Sequence, residues 1–304
     1  MKKQKILIAG GSGLVGTALV AALDKSKYDI TILSRSARQS TTEGISFASW
    51  DTTAGTIDYH DIPDHVINLA GAGIADARWT DARKRELIDS RVDTAATLES
   101  FFKLKNIKPK TYISASAVGY YGDSGDRLLD ESSSPGSEFM SECCIAWENA
   151  ATAAGRYADR SVIIRISLVL TTLGGALPKM LMTKVLGIYN YFGNGEQYYA
   201  WTHIDDLCRL FVYAIENDSM NDTYNNVAPQ QITNKAMMQD IKTQLGGLAV
   251  LSAPAFALRI MLGEMANVVL NSNRAISTRI QNTGFQYNYT DAGLAVKDCV
   301  DRKV

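Results

Sequence analysis

Cysteine is scarce in this chain: Cys143, Cys144, Cys208 and Cys299 are the only four in 304 residues, and none form a CxxC pair. That spacing excludes a disulfide framework, carries no zinc signature, and leaves no metal expected. Charge of one sign is also lacking, with 31 Lys and Arg against 32 Asp and Glu, a net charge of −1. There is thus no basic field to attract nucleic acid. Clean hydrophobic spans are missing too. The stretch "AVLSAPAFALRIMLGEMANVVL" at 249–270 has the length of a membrane span, but Pro254, Arg259 and Glu264 interrupt it. A charge near a bilayer centre costs roughly 2.5–3.5 kcal/mol, so a buried or lid-forming helix is expected there, and no membrane partner. The start, "MKKQKILIAGG", places only four apolar residues before two glycines and reads as a strand, not a signal peptide. A cytoplasmic protein with reduced thiols is expected.

What is present is ordinary globular composition, 46% apolar and 21% charged. Short apolar runs alternate with helical patterns. "KILIAG" (5–10), "YDITILSR" (28–35), "GISFAS" (44–49), "HVINLAG" (65–71), "KTYISAS" (110–116) and "RSVIIRISLVL" (160–170) read as six strands. Helical patterns cover 14–23 and 80–103. This alternation predicts βαβ units and an α/β fold with a doubly wound parallel sheet. Beyond residue 170 the alternation weakens, and a smaller, mainly helical C-terminal lobe is expected. The expected division is 1–170 for nucleotide binding, with 196–230 returning to it, and 171–304 mainly for substrate.

The first strand runs into Gly10-x-x-Gly13-x-x-Gly16 and then a helix. Gly10 suits a tight turn, Gly13 a close backbone approach to a pyrophosphate, and Gly16 close packing of helix on sheet. Gly10, Gly11, Ser12, Gly13, Leu14, Val15 and Gly16 are therefore candidate cofactor contacts, the alternative being a plain strand-to-helix turn. After the second strand stand Ser34, Arg35, Ser36 and Arg38 in place of an acid. Guanidinium would meet an adenosine 2′-phosphate with charge-assisted bonds, so NADP is expected ahead of NAD. The alternative is a pair of solvated arginines.

The glycine triplet, "NLAGAGIADARWT" (68–80), "DSRVDTAATL" (89–98), "SASAVGYYGD" (114–123), "WTHIDDL" (201–207) and the tail "NRAISTRIQNTGFQYNYTDAGLAV" (273–296) resemble the extended short-chain dehydrogenase/reductases. More narrowly they are similar to the NAD(P)-dependent epimerase/dehydratase-like branch with a characteristic C-terminal domain, also miscalled cell-division inhibitors. The resemblance implies a Rossmann-type domain, a C-terminal substrate lobe, and a cofactor between them. It also implies cofactor contacts at Asn68, Leu69, Ala70 and Gly71, a structural turn at "HIDDL", and a connection returning near the cofactor at "NNVAPQQIT" (225–233).

The wider family's chemistry uses a Ser or Thr, a Tyr, and a Lys four residues after that Tyr, the lysine lowering the phenol's pKa. In "SEFMSECCIAWEN" (137–149) the corresponding positions hold Phe139 and Cys143, so both are missing. That stretch reads as a helix, with Ser137 as N-cap, Gly155 as stop, and Phe139, Cys143, Trp147 and Ala150 on its packed side. Catalysis then falls to Ser114 or Ser116, at the family's hydroxyl position, with Tyr120 or Tyr121 in the adjoining loop. Loop packing is the alternative for the tyrosines. Arg165, following an apolar strand, is a candidate substrate contact together with Tyr120. Arg91 belongs to a cationic helix and could reach a phosphate. Glu131 and Glu148 are expected at the surface or in a structural hydrogen bond. The expected function is NADP-dependent oxidoreduction or nucleotide-sugar-epimerase-like hydride exchange on a small molecule, with a homodimer as one option. The rival is a catalytically silent NADP-binding sensor or scaffold.

Overall fold

The structure is a computed structural model and describes residues 2–36 and 38–302. Its centre is an eight-stranded sheet, whose strands are labelled here in chain order: β1 Gln4–Ala9, β2 Tyr28–Ser34, β3 Ile45–Asp51, β4 Thr56–Asp58, β5 His65–Asn68, β6 Thr111–Ala117, β7 Arg160–Ile166 and β8 Thr223–Asn226. They lie side by side as β8-β7-β6-β5-β1-β2-β3-β4. All neighbours are parallel except the short hairpin partner β4. The order reverses direction at β1, which has β2 on one side and β5 on the other. In such sheets, ligands sit beyond the carboxyl ends of the strands at that reversal.

Helices of eight residues or more are α1 Leu14–Ala22, α2 Asp81–Lys105, α3 Phe139–Gly155, α4 Ile204–Glu216, α5 Asn234–Leu245, α6 Ala255–Leu262 and α7 Ala292–Asp301. Strand side chains alternate between two cores, as a period of two requires. Ile6, Ile8, Ile30, Ile32, Ile113 and Ile164 pack against α1 and α4. Leu7, Ala9, Leu33, Val66 and Tyr112 pack on the other face against Leu98, Phe101 and Phe102 of α2 and Ala151 and Ala154 of α3. Each fully buried aliphatic side chain contributes ~1.5–3 kcal/mol, so the two cores position the strand ends rigidly. A third core joins Leu170, Tyr189, Trp201, Met237, Met238, Ile241, Ala295 and Val296 in the C-terminal part.

Two expectations change, and one strand is new. The run 160–170 is two strands, because the chain leaves the sheet after Ile166, and Leu168–Leu170 pairs instead with Trp201–His203. The hairpin strand β4 had no sequence expectation. The segment 249–270 is neither one helix nor largely buried. It begins as a strand, Ala249–Ala253, beside Ile188–Phe192, and then forms α6, which exposes Phe256, Ile260 and Met261. Pro254 separates the two by fixing the helix N-cap in extended backbone. No helix among the described residues is long and apolar enough to cross a membrane.

Candidate functional site

β1 delivers the chain to Gly10, whose φ of +78° favours glycine. A Cβ at Gly10 would fall 2.7 Å from the backbone of Leu69 and Ala70, so the turns after β1 and β5 are in direct contact. One at Gly16 would fall 2.2 Å from the Gly10 carbonyl oxygen, so α1 rests on its own entry turn. The Gly13 amide donates to Gly10 O at 3.0 Å, and Thr17 N to Gly13 O at 2.8 Å. Ser12 and Gly13 are exposed, Leu14 and Val15 half-buried, and no acid stands in the first turn of α1. Gly11 packs inward toward Ile32. The open helix N-terminus therefore presents unsatisfied amides and a positive dipole end to the strand reversal.

Beyond β2, Ser34 is buried and its Oγ accepts from Ser36 N at 3.4 Å. Arg35 and Arg38 are exposed and form no ion pair among the described residues; Ala37 between them lies outside those residues. After β5, the fully buried Asn68 accepts from Ala70 N at 3.2 Å and donates to Thr94 Oγ1 at 3.4 Å, which shapes the Leu69–Ala70–Gly71 turn. A glycine-closed turn, an open helix N-terminus and two exposed arginines fit a phosphorylated dinucleotide.

Arg91 is not a solvated helix charge. It is 6% exposed, donating from Nη1 to Leu87 O (2.7 Å) and from Nη2 to Ala72 O (3.1 Å), with its guanidinium 4.8 Å from the Trp147 ring centre. The periodicity of α2 placed it among Arg83, Lys84 and Arg85, but it turns inward where α3 supplies an indole.

β6 and the loop after it carry the hydroxyls. Ser114 is fully buried and donates to Ala115 O at 3.1 Å. Ser116, on the same face one pleat later, donates to Glu148 Oε1 at 2.6 Å. Glu148, on α3, also accepts two bonds from Arg165, from Nε at 2.7 Å and Nη2 at 2.8 Å. Arg165 Nη1 donates to the Tyr121 hydroxyl at 2.8 Å, which donates to Asn225 Oδ1 at 2.8 Å. Asn225 N in turn donates to Glu131, which also accepts from Arg279 N. This chain joins α3, β6, β7 and β8 beneath the site.

Several expectations are corrected by it. Arg165 is 4% exposed and fully engaged, so it is a strut under the site and not a free substrate ligand. Tyr121 is 1% exposed, and burial pushes its phenol up to about 12 despite the Arg165 and Asn225 bonds. It stays protonated at neutral pH. Glu131 and Glu148 take the second of their two expected places, a structural hydrogen bond: Glu131 is buried, with its carboxyl pKa raised by desolvation, and the Glu148 side chain is 12% exposed. Tyr120 is different. It is half-buried, its ring lies over Arg165 with 3.5 Å from guanidinium carbon to centroid, and its hydroxyl makes no hydrogen bond among the described residues.

The opening of α3 lacks an acid–base pair in space as in sequence. Phe139 packs edge-on to Trp79 at 4.9 Å, and Cys143 points its Sγ at Leu87 O, 3.8 Å away. Burial raises the Cys143 thiol pKa, so it is a neutral core residue. Cys143 and Trp147 lie on the packed side, as expected, with Cys144 and Ala151; Phe139 and Ala150, expected there too, are half-buried, the N-cap is Glu138 without a capping bond, and Ser137 is exposed. His203 is the N-cap of α4: its Nδ1 accepts from Asp205 N at 3.2 Å, and its Nε2 lies 3.1 Å from Cys299 Sγ. That Cys299 contact had no sequence signal. Nor did Ser167 and Asn226, at the carboxyl ends of β7 and β8, whose buried side-chain polar atoms have no hydrogen-bond partner in the described protein.

The family model described as the NAD dependent epimerase/dehydratase family matches residues 6–227, and a domain of unknown function, DUF1731, matches 253–299. An epimerase family protein of Staphylococcus aureus (strain bovine RF122 / ET3-1) is 33% identical over 303 residues, covering 98% of this chain and 100% of that protein. The crystal structure of the human epimerase family protein SDR39U1 (isoform 2) with NADPH is similar with a TM-score of 0.89 and 30% identity, over 98% of this chain and 100% of that one. A nucleoside-diphosphate sugar epimerase from Corynebacterium glutamicum is also 30% identical, TM-score 0.75, over 97% of this chain and 57% of its own. With the Rossmann-like sheet, the glycine turn and these matches together, the chain belongs to the NAD dependent epimerase/dehydratase family.

Proposed function

We propose that this protein binds NADP in preference to NAD and exchanges hydride with a carbonyl or hydroxyl carbon of a small molecule, in the manner of a nucleotide-sugar epimerase or reductase. The observation that carries the reading is the exposed Arg35 and Arg38 beside a glycine-closed turn with an open helix N-terminus. In this reading Gly10 to Gly16 cradle the pyrophosphate, and Ser34, Arg35, Ser36 and Arg38 hold the 2′-phosphate. The turn at Leu69, Ala70 and Gly71 lines the cofactor's other flank. The human relative solved with NADPH supports that cofactor, and the Corynebacterium glutamicum relative supports a nucleoside-diphosphate sugar as substrate class. Bound there, the nicotinamide supplies or accepts the hydride.

The protein's own part is orientation and proton handling. Tyr120 is the one member of the Ser114, Ser116, Tyr120, Tyr121 set whose hydroxyl is uncommitted, and it is the proposed proton donor or substrate-oxygen ligand. The fixed cation of Arg165 beneath its ring holds that ring in place. The test is direct binding of NADPH and NADH, followed by nicotinamide absorbance on a panel of nucleotide sugars. Tighter NADPH binding with turnover is the expected result; no affinity for either dinucleotide removes the reading.

The second reading, a silent NADP-binding sensor or scaffold, is favoured by Phe139 and Cys143 at the family's acid–base positions. NADPH binding without oxidation across the panel would select it.

A further inference from the structure

Arg91 is a buried cation without a counter-ion. Arg83, two turns earlier on α2, has Asp76 and Glu86 within ion-pair distance, whereas Arg91 has no carboxylate partner among the described residues. Its two hydrogen bonds go to backbone carbonyls, Leu87 O and Ala72 O, which leaves a five-donor guanidinium incompletely satisfied. The ionisable groups beside it are the Cys143 and Cys144 thiols and the like-charged Arg83, which is itself paired with Asp76 and Glu86. Burial raises both thiols, Cys144 to about 12, so neither is an anion at neutral pH. A desolvated cation with no anion beside it is costly, and the Trp147 ring offsets only part of that cost, so Arg91 would hold an anion that reached it.

Its position says where that anion lies. Gly71 is exposed directly over it, and a Cβ there would fall 3.1 Å from Arg91 Cγ and Cζ. The same turn touches Gly10, whose own Cβ would meet Leu69 and Ala70. The strand order puts β2 on one side of β1 and β5 on the other. Arg35 and Arg38, after β2, and Arg91, beside the chain after β5, therefore flank the glycine turn from opposite sides. Arg91 also shares the Leu87 carbonyl with Cys143, the position where the family resemblance leads one to expect a lysine.

We infer that Arg91 is the second anion anchor of this site, supplying the positive charge for the pyrophosphate–nicotinamide half of the dinucleotide while Arg35 and Arg38 take the adenosine phosphate. This rests on the NADP reading above. The cation absent from α3 at position 143 is carried instead by α2, through a glycine gap in the turn that covers it.

The test compares NADPH with 2′,5′-ADP, which keeps the adenosine phosphates and lacks the nicotinamide half, on wild type, Arg91→Met and Arg91→Lys. Arg91→Met is expected to weaken NADPH by at least about tenfold, the loss of a charged hydrogen-bonding group, and 2′,5′-ADP by less than about twofold. Arg91→Lys, which keeps the charge, recovers part of the NADPH affinity; it also stands as the probe if Arg91→Met does not fold. Unchanged NADPH affinity in both variants overturns the inference, as does equal weakening of both ligands, which would make Arg91 a holder of the loop. A wild type that binds NADPH and keeps that affinity on substitution sinks this inference alone. A wild type that binds neither ligand sinks the NADP reading with it.

Discussion

Arg165 holds Tyr120 and Tyr121 in two different ways: it stacks under the first ring at 3.5 Å and donates to the second hydroxyl at 2.8 Å. Consecutive residues of one type are thus divided between chemistry and scaffold. Tyr121→Phe is expected to lower stability by about 1–2 kcal/mol, because Asn225 loses its donor and Arg165 an acceptor inside the core. Tyr120→Phe should change stability by less than about 0.5 kcal/mol and slow turnover by at least about tenfold. Thermal melts and nicotinamide absorbance on the same preparations separate the two. Equal turnover in wild type and Tyr120→Phe would remove Tyr120 from the reaction.

Arg165→Met leaves Glu148 short of a bidentate partner at 12% exposure. The expected loss is about 3–5 kcal/mol by denaturant titration, since an uncompensated buried charge is worse than an apolar pair. Adding Glu148→Leu to the same chain should restore most of it. A double variant as unstable as the sum of the two singles would argue against the pair as the source.

The glycine turn makes graded demands. Gly16→Ala would put a methyl 2.2 Å from the Gly10 carbonyl oxygen and should cost about 3 kcal/mol, with loss of NADPH binding. At Gly13 the nearest atom is 3.3 Å away, so Gly13→Ala should fold within about 1 kcal/mol of wild type yet bind NADPH less tightly. Calorimetry on both checks whether that glycine serves the ligand or the fold.

Cofactor choice is testable at the end of β2. Arg35→Glu combined with Arg38→Ala should lower NADPH affinity at least about tenfold and leave NADH affinity unchanged. Parallel losses for both dinucleotides would place the arginines away from the 2′-phosphate.

His65, buried at the start of β5 with both ring nitrogens unpartnered, is held neutral: desolvation lowers its pKa from 6.5 to about 4. The unfolded chain therefore binds the extra proton between those values. Its stability contribution is full above pH 6.5 and falls as the pH drops through that window, by about 2 kcal/mol near pH 5. His65→Leu should flatten that slope in urea titrations between about pH 7 and pH 4.

Local pattern was enough to read β1, β2, β5, β6 and the helices that alternate with them, because burial on both faces leaves short unbroken apolar runs such as "KILIA". The glycine turn was legible because the φ of Gly10 and the close approach of Gly16 to Gly10 O act within seven residues. The polar network was not. Glu148 and Arg165 lie on different elements, and nothing in either neighbourhood marks them as a pair, so the sequence leaves Glu148 between the surface and a structural hydrogen bond and gives Arg165 as a substrate contact. That Arg91 is buried rather than solvated was not legible either, because nothing in α2 alone shows that a facing helix offers Trp147 and no acid. The break after Ile166 was hidden because "ISLVL" stays apolar while it changes partners, from the main sheet to Trp201–His203.

One outer strand also sets the order of assembly. β8 is supplied by residues 223–226, after the chain has left β7 and built Leu168–His203 and α4. A nascent chain emerging from the ribosome as far as α3 and β7 has no β8 to cover the β7 edge, and Tyr121 has no Asn225 to accept its hydrogen bond. The bond that fixes the Tyr121 hydroxyl can therefore form only after synthesis has passed residue 225.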